Sequence, residues 1–423
     1  MIRLRKEETQ EDRKGAGRPP ASRWIALVWI TLAELLAMSV WFSASAVTGA
    51  LTLQWHLSGT AVTWLTSSVQ LGFVGGALIS ATLGLPDRIR PRTLMAWGSM
   101  GAALSTAAIL GFPYGGLWPF VSRSLTGAFL AVVYPIAVQW VASWFPRQRG
   151  LAVGILIGGL TLGSALPHIL VGLPLLENWQ GVMLGSAGLA VVSSALVWWV
   201  VPEQPGSFHP PAFHWDRVGS VLRDAPVMLA NLGYWSHMWE LYAMWTWLPV
   251  FFLASWAPYV HGEALVRWAG GASFVVIGLA GVAGALTGGW AADRWGRTRA
   301  TAWALGISGS MALLIGFTYR QAPWLTLVLG LIWGFSVIAD SAQFSAAVTE
   351  LSSSSLQGSA LTLQMAVGFL VTIGSIDVVG WLQPVIGWSH ILMLLALGPA
   401  VGIWAMHRLR QRPEALKMAH GRR

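Results

Sequence analysis

Apolar residues run along this chain in stretches of twenty or more, separated by short polar segments that are often rich in arginine. A helix crossing the hydrocarbon core of a bilayer needs about 20 such residues, and the pattern predicts twelve of them. They fall at about 24–50, 60–84, 93–112, 117–144, 150–174 and 180–201, then at 226–254, 268–291, 300–318, 323–348, 358–382 and 388–406. Between the two sets of six lies a polar segment, 202–225, with Pro202, Pro205, Pro210 and Pro211, which reads as a linker. The predicted organisation is a basic tail 1–23, a six-helix bundle 24–201, the linker 202–225, a second six-helix bundle 226–408, and a basic tail 409–423.

The two sets repeat one plan. Glu34-Leu35-Leu36-Ala37-Met38-Ser39-Val40-Trp41 and Glu240-Leu241-Tyr242-Ala243-Met244-Trp245-Thr246-Trp247 both read E-L-x-A-M-x-x-W, 206 residues apart. The same offset carries Asp87-Arg88 onto Asp293-Arg294. Six crossings return the chain to its starting face, so the copies should be parallel, related by an axis along the membrane normal. Such repeats place a site near the midplane between them. The expected fold is an all-α integral membrane protein of twelve transmembrane helices, arranged as two parallel six-helix repeats around a central cavity.

Composition agrees and narrows the function. Charged residues make up 10% of the chain, against about 25% in soluble proteins. With no cysteine, disulfides, thiolate metal sites and cysteine nucleophiles are excluded. The net charge of +9 suggests an acidic partner until the cations are placed. Twenty-three of the twenty-six lie in the tails and alternate connections; the others are Arg123, Arg267 and Arg320. The positive-inside rule makes the crowded side cytoplasmic, so both termini should be inside in a multi-pass plasma-membrane protein. The basic surplus then reflects topology and attraction to membrane lipid, with no nucleic-acid partner. No zinc, P-loop or Ser-His-Asp pattern stands out, so neither an enzyme nor a metal or other cofactor is expected.

Gly289-Trp290-Ala291-Ala292-Asp293-Arg294-Trp295-Gly296-Arg297-Thr298-Arg299, between spans 8 and 9, reads G-x-x-x-D-R-x-G-R-x-R. Arg123-x-x-x-Gly127 lies in span 4, and Trp144-Phe145-Pro146 with Arg149-Gly150-x-Ala152-x-Gly154 opens span 5. On these motifs the chain resembles the major facilitator superfamily over about 24–408. The resemblance implies alternating access, a cavity lined by spans 1, 4, 7 and 10, and gating contacts by the Asp-Arg loops. The gating residues would be Asp87, Arg88, Gly289, Asp293, Arg294, Gly296 and Arg297. The first-half loop departs from the pattern, with Leu83 and Arg90 at the two glycine positions, so its turn should differ. Glycines at close-packing spacing, Gly154, Gly158, Gly159 and Gly163 on span 5 and Gly281, Gly284, Gly288 and Gly289 on span 8, predict close helix contacts.

Ionisable groups inside spans cost several kcal/mol unless paired or wet and mark function by default. Here they are Glu34, Arg123, Glu240, Asp340 and Asp377. Glu34 lies about 16 Å beyond Arg23 along a helix, near mid-bilayer. His237 shares a face with Glu240, and Gln343 and Ser336 share one with Asp340. Four acids with one arginine cannot all be ionised cheaply. Arg123 can pair with Glu34, either as a standing ion pair or as a partner that sets its proton affinity, which leaves Glu240 to His237 and the substrate. The expected cavity set is Glu34, Arg123, Glu240, His237, Asp340 and Gln343. Asp377 reads as solvated near the end of span 11, and His168 as a satisfied packing histidine. The expected function is a monomeric secondary transporter of a small organic solute, coupled to protons as symporter or antiporter. Efflux of cationic compounds by proton antiport is the alternative, and a non-transporting membrane sensor a lesser one.

Overall fold

Lipid offers no hydrogen bonds to a backbone, so each apolar run must close its own as a helix. The computed structural model describes residues 20–111, 116–145, 149–173, 178–203, 213–353 and 355–422. Most of the N-terminal tail, Pro146 and linker residues 204–212 lie outside the described residues, and no strand occurs among those described. The long helices are α1 (Pro20–Met38), α2 (Gly59–Leu83), α3 (Pro91–Gly111), α4 (Trp118–Trp144), α5 (Arg149–Leu170) and α6 (Trp179–Trp199). After the short helix Trp215–Arg223 come α7 (Ala225–Trp256), α8 (Gly262–Trp295), α9 (Arg297–Thr318), α10 (Pro323–Leu351), α11 (Gln357–Ile386) and α12 (Trp388–Arg410). Ser58, Asn178 and Asp224 cap α2, α6 and α7 by accepting from Ala61, Gly181 and Val227 N–H groups, the usual satisfaction of orphaned first-turn donors.

Ten of these helices are long and apolar enough to cross a membrane, which makes the chain a multi-pass membrane protein. The two outside that set are α1, whose first two side chains lie outside the described residues, and α7, and this pair carries the repeated glutamate motif. Asn231, His237, Glu240 and five tryptophans dilute the 32-residue α7. Helix α1 is also shorter than the expected 24–50: it stops at Met38, and the chain turns through Ser39–Phe42 into the short helices Ser43–Ala46 and Thr48–Trp55. Two further helices break in mid-span, α4 between Leu130 and Tyr134 and α10 at Asp340.

Packing follows small residues. A Cβ on Gly127 would run into Val69 O, and one on Gly284 into Phe335 O, so α4 lies backbone-close on α2 and α10 on α8. In the first half α1 packs on α5 and α6, α2 on α4, and α3 on α4 and α6. Each pairing recurs six helices later: α7 on α11 and α12, α8 on α10, α9 on α10 and α12. Across the halves, α2 meets α11 and α5 meets α8. The glycines of α5 and α8 divide between these roles. Gly154, Gly158 and Gly281 face the α5–α8 contact, whereas Gly159 and Gly163 press on α1 and Gly284 and Gly288 on α10.

Candidate functional site

The broken end of α1 organises the centre. Residues 39–42 leave helical geometry, which frees carbonyls that cannot be left bare inside a membrane protein. Arg123 on α4, fully buried, supplies the donors: Nη2 to Val40 O at 3.0 Å and Trp41 O at 2.5 Å, and Nη1 to Ser43 Oγ at 3.3 Å. Ser39 Oγ and Ser43 Oγ take up Leu36 O and Val40 O at 2.6 and 2.9 Å. The expected Glu34–Arg123 pair is therefore absent. The arginine is spent on the backbone one to two turns beyond Glu34, because the break needs donors.

Glu34 is wholly buried, and neither carboxylate oxygen has a hydrogen-bond partner among the described residues. Tyr134, at the break of α4, is within electrostatic reach of Glu34. Tyr134 in turn neighbours Tyr234 and Tyr242 of α7 electrostatically. Gln70 on α2 is another fully buried side chain with both amide atoms unpartnered. Buried polar atoms without partners are few in native proteins and each needs a reason.

Glu240 is the opposite case. Its Oε1 accepts from Trp333 Nε1 at 2.7 Å and its Oε2 from Ser308 Oγ at 2.9 Å. It is satisfied by α9 and α10 and turned into the second half. His237 does not serve it: its Nδ1 sits 2.9 Å from Asp340 Oδ1. The expected inequivalence of the two glutamates exists with its sense reversed, Glu34 being the unpaired one. Asp340 sits in the break of α10. Gln343 is drawn away from the centre to Arg297 Nη1 at 2.7 Å, and Ser336 bonds its own helix at Ile332 O and Trp333 O.

Towards the end far from the termini, an aromatic cluster joins the halves above Glu34. Trp41 and Phe42 of α1's extension, Phe73 of α2, Tyr242 and Trp245 of α7 and Phe369 of α11 pack, mostly tilted or edge-on, with centroids 4.3–6.0 Å apart. Beside them Ser67 Oγ of α2 donates to Asp377 Oδ1 of α11 at 2.9 Å, so Asp377 is a buried inter-half acceptor and not a solvated acid. His168 is buried, with the Ala165 backbone as its polar neighbour.

At the end bearing the termini, Arg297 of the long motif holds Glu350 of α10 with two hydrogen bonds, Nε–Oε2 at 2.7 Å and Nη2–Oε1 at 2.5 Å. Glu350 Oε2 also accepts from Ala419 N at 3.1 Å, and Arg422 Nη1 donates to Asp293 O at 2.6 Å. The C-terminal tail thus straps the α8–α9 loop, with Ala415 and Met418 fully buried. Gly296 has φ +91°, a conformation that favours glycine, and Gly289 is buried in α8. The Asp293 side chain is exposed, and Arg294 lies over Trp290 at 5.7 Å. In the first half the turn does differ: Gly84 takes the left-handed conformation, Arg90 is extended, and Pro91 starts α3. Arg88 is exposed, and the side chain of Asp87 lies outside the described residues, as do those of Arg149 and Gly150.

The sequence reading missed Glu350, Ser308, Trp333, Tyr134 and Gln70. A tryptophan deep in an apolar stretch, far from either interface, was the available signal for Trp333, since a buried indole N–H normally finds an acceptor.

Over residues 30–374 the sequence matches the Major Facilitator Superfamily. It is 26% identical to the uncharacterized transporter YgaY of Escherichia coli O157:H7 over 189 residues, 43% of this chain and 46% of that protein. It is 27% identical to a gallate transporter of Pseudomonas putida over 192 residues, 44% of this chain and 41% of the relative. These matches span less than half the length of each relative. The family match covers most of the helical body just described, and the chain belongs to the Major Facilitator Superfamily.

Proposed function

We propose that this chain is a proton-coupled secondary transporter of a small organic solute that works by alternating access. Its twelve long helices would then form two parallel six-helix repeats with both termini cytoplasmic. The helix pairings that recur six helices apart, and the inter-half contacts α2–α11 and α5–α8, support that arrangement. One observation carries the functional reading: a fully buried Glu34 without a partner, beneath an aromatic cluster built from both halves. An uncompensated buried charge costs several kcal/mol, so this carboxyl carries a proton, or meets a cation or water, at each stage of a cycle. Rocking that parts Trp41 from Tyr242 and Phe369 would wet it from one side, and movement at the strapped α8–α9 loop from the other.

The test is transport by purified protein in liposomes with an imposed pH gradient, for wild type and Glu34→Gln. The variant should keep gradient-free counterflow and lose accumulation driven by the gradient. Accumulation that persists in Glu34→Gln refutes the coupling role. The binding of Arg123 to Val40 O and Trp41 O favours cationic or neutral solutes, because its fork is not free to hold a carboxylate. The similarity to a gallate transporter favours an aromatic acid instead. A panel of organic amines and phenolic acids in the same liposomes separates the two.

A further inference from the structure

The transport cycle makes no use of a groove between α9 and α12 at the end that carries the termini. It holds about 510 Å³. Arg299, His407 and Arg410 stand around it, and Trp303, Ile403 and Trp404 wall it. Trp303 is 65% and Trp404 51% exposed, so the apolar wall faces outward with nothing among the described residues covering it. Arg299 and Arg410 make no ion pair with a carboxylate among the described residues, and Arg408 lies over the Trp404 ring at 5.9 Å. The slot is cationic at the helix ends and apolar along its length. That polarity suits a molecule with an anionic head and a hydrocarbon stem. Guanidinium forks match phosphate oxygens, tryptophans sit at headgroup depth, and basic pockets between membrane helices take anionic lipid heads. A free phosphate would use the arginines but leave the aromatic wall bare.

We propose that this groove is a binding site for one anionic phospholipid, its phosphate held by Arg299 and Arg410 and an acyl chain lying along Trp303 and Trp404. The full-length protein, purified in detergent, is titrated by native mass spectrometry with phosphatidylglycerol, phosphatidylethanolamine or inorganic phosphate. Wild type should retain one phosphatidylglycerol in preference to phosphatidylethanolamine and gain nothing comparable from phosphate. Arg299→Gln/Arg410→Gln should cut that preference roughly 30-fold, as expected for two interfacial arginines. The charge-matched Arg88→Gln/Arg90→Gln, remote in the first-half loop, should leave it intact. A preference unchanged in Arg299→Gln/Arg410→Gln, lost equally in Arg88→Gln/Arg90→Gln, or matched by inorganic phosphate overturns the proposal. A second measurement needs no variant: binding to wild type should weaken as salt rises, and salt-insensitive binding is equally fatal.

Discussion

Arg123→Leu removes at once the donors to Val40 O at 3.0 Å, Trp41 O at 2.5 Å and Ser43 Oγ at 3.3 Å. A buried carbonyl left without a donor costs about 1–3 kcal/mol, and that cost falls on Trp41 O, because Val40 O keeps Ser43 Oγ at 2.9 Å. The leucine also takes away a buried cation whose desolvation opposes folding by several kcal/mol. The net loss should fall at the low end, ~1 kcal/mol. Arg123→Gln, which can still donate to one carbonyl, should lose less. The sharper test is a double-mutant cycle with Glu34→Gln, read as reversible unfolding in mixed micelles by tryptophan fluorescence. Since the guanidinium ends on α1 backbone and Glu34 has no partner, the two changes should add within about 0.5 kcal/mol. If the two groups formed a buried ion pair, breaking it from either side would cost about 3–5 kcal/mol, and the double variant would recover much of that. A coupling energy above about 2 kcal/mol would refute the assignment of Arg123 to the helix break.

Three further outcomes follow from the hydrogen bonds of the second half. Glu240→Leu orphans Trp333 Nε1, while Ser308 Oγ keeps Leu305 O at 3.2 Å, and should lose about 1–3 kcal/mol for the buried indole donor. Glu240→Gln keeps an acceptor for the indole and should stay within about 1 kcal/mol of wild type by the same unfolding assay; equal losses for both would contradict the observed bonding. Arg297→Glu should weaken the α9–α10 contact through like charges facing Glu350, and Arg297→Glu/Glu350→Arg should recover part of the loss in thermal stability, with no recovery counting against the pair. Met418→Asp places a charge at a fully buried position of the tail and should release it, seen as faster trypsin cleavage after Arg410 or Arg412; unchanged cleavage would mean the tail is not held there.

Much of the fold was legible because a membrane imposes a coarse rule: an apolar run of sufficient length becomes a helix. Ten helices obey it among the described residues, and α7 falls short because of the polar residues it carries into the centre. The glycine at position 296 and the departure at Arg90 were readable for a different reason, since only a small set of residues tolerates a positive φ. The partners of the buried charges were not readable. Spacing places Glu34, Arg123, Glu240 and His237 at depths along their helices, but the rotation of each helix chooses the partner. The break after Met38, which no apolar pattern announces, diverts Arg123 to Val40 and Trp41. Glu350 and Gln343 were misjudged or missed for the same reason, because the reach of Arg297 selects them from another helix.

The repeat nevertheless encodes the inequality of its two glutamates, once the right positions are compared. Ser308 and Trp333, the donors to Glu240, correspond at the offset of 206 to Ala102 and Gly127. Neither can donate from a side chain. Gly127 also could not become a tryptophan, because it packs backbone-close on Val69. His237 and Asp340 correspond in the same way to Thr31 and Tyr134, so the close histidine–acid contact of the second half is replaced by a hydroxyl and a phenol near Glu34. Each substitution moves the first half in one direction, from an acid with fixed donors to an acid with none. A satisfied Glu240 stiffens the packing of α7 on α9 and α10, while an unsatisfied Glu34 gains most from whatever enters beside it. Installing a donor at position 102 should therefore quiet the first-half site: Ala102→Ser, tested in the gradient-driven liposome assay, is expected to slow coupled transport while leaving the fold intact. Undiminished coupling in a variant shown to bond Glu34 would break the link between its lack of a partner and its role.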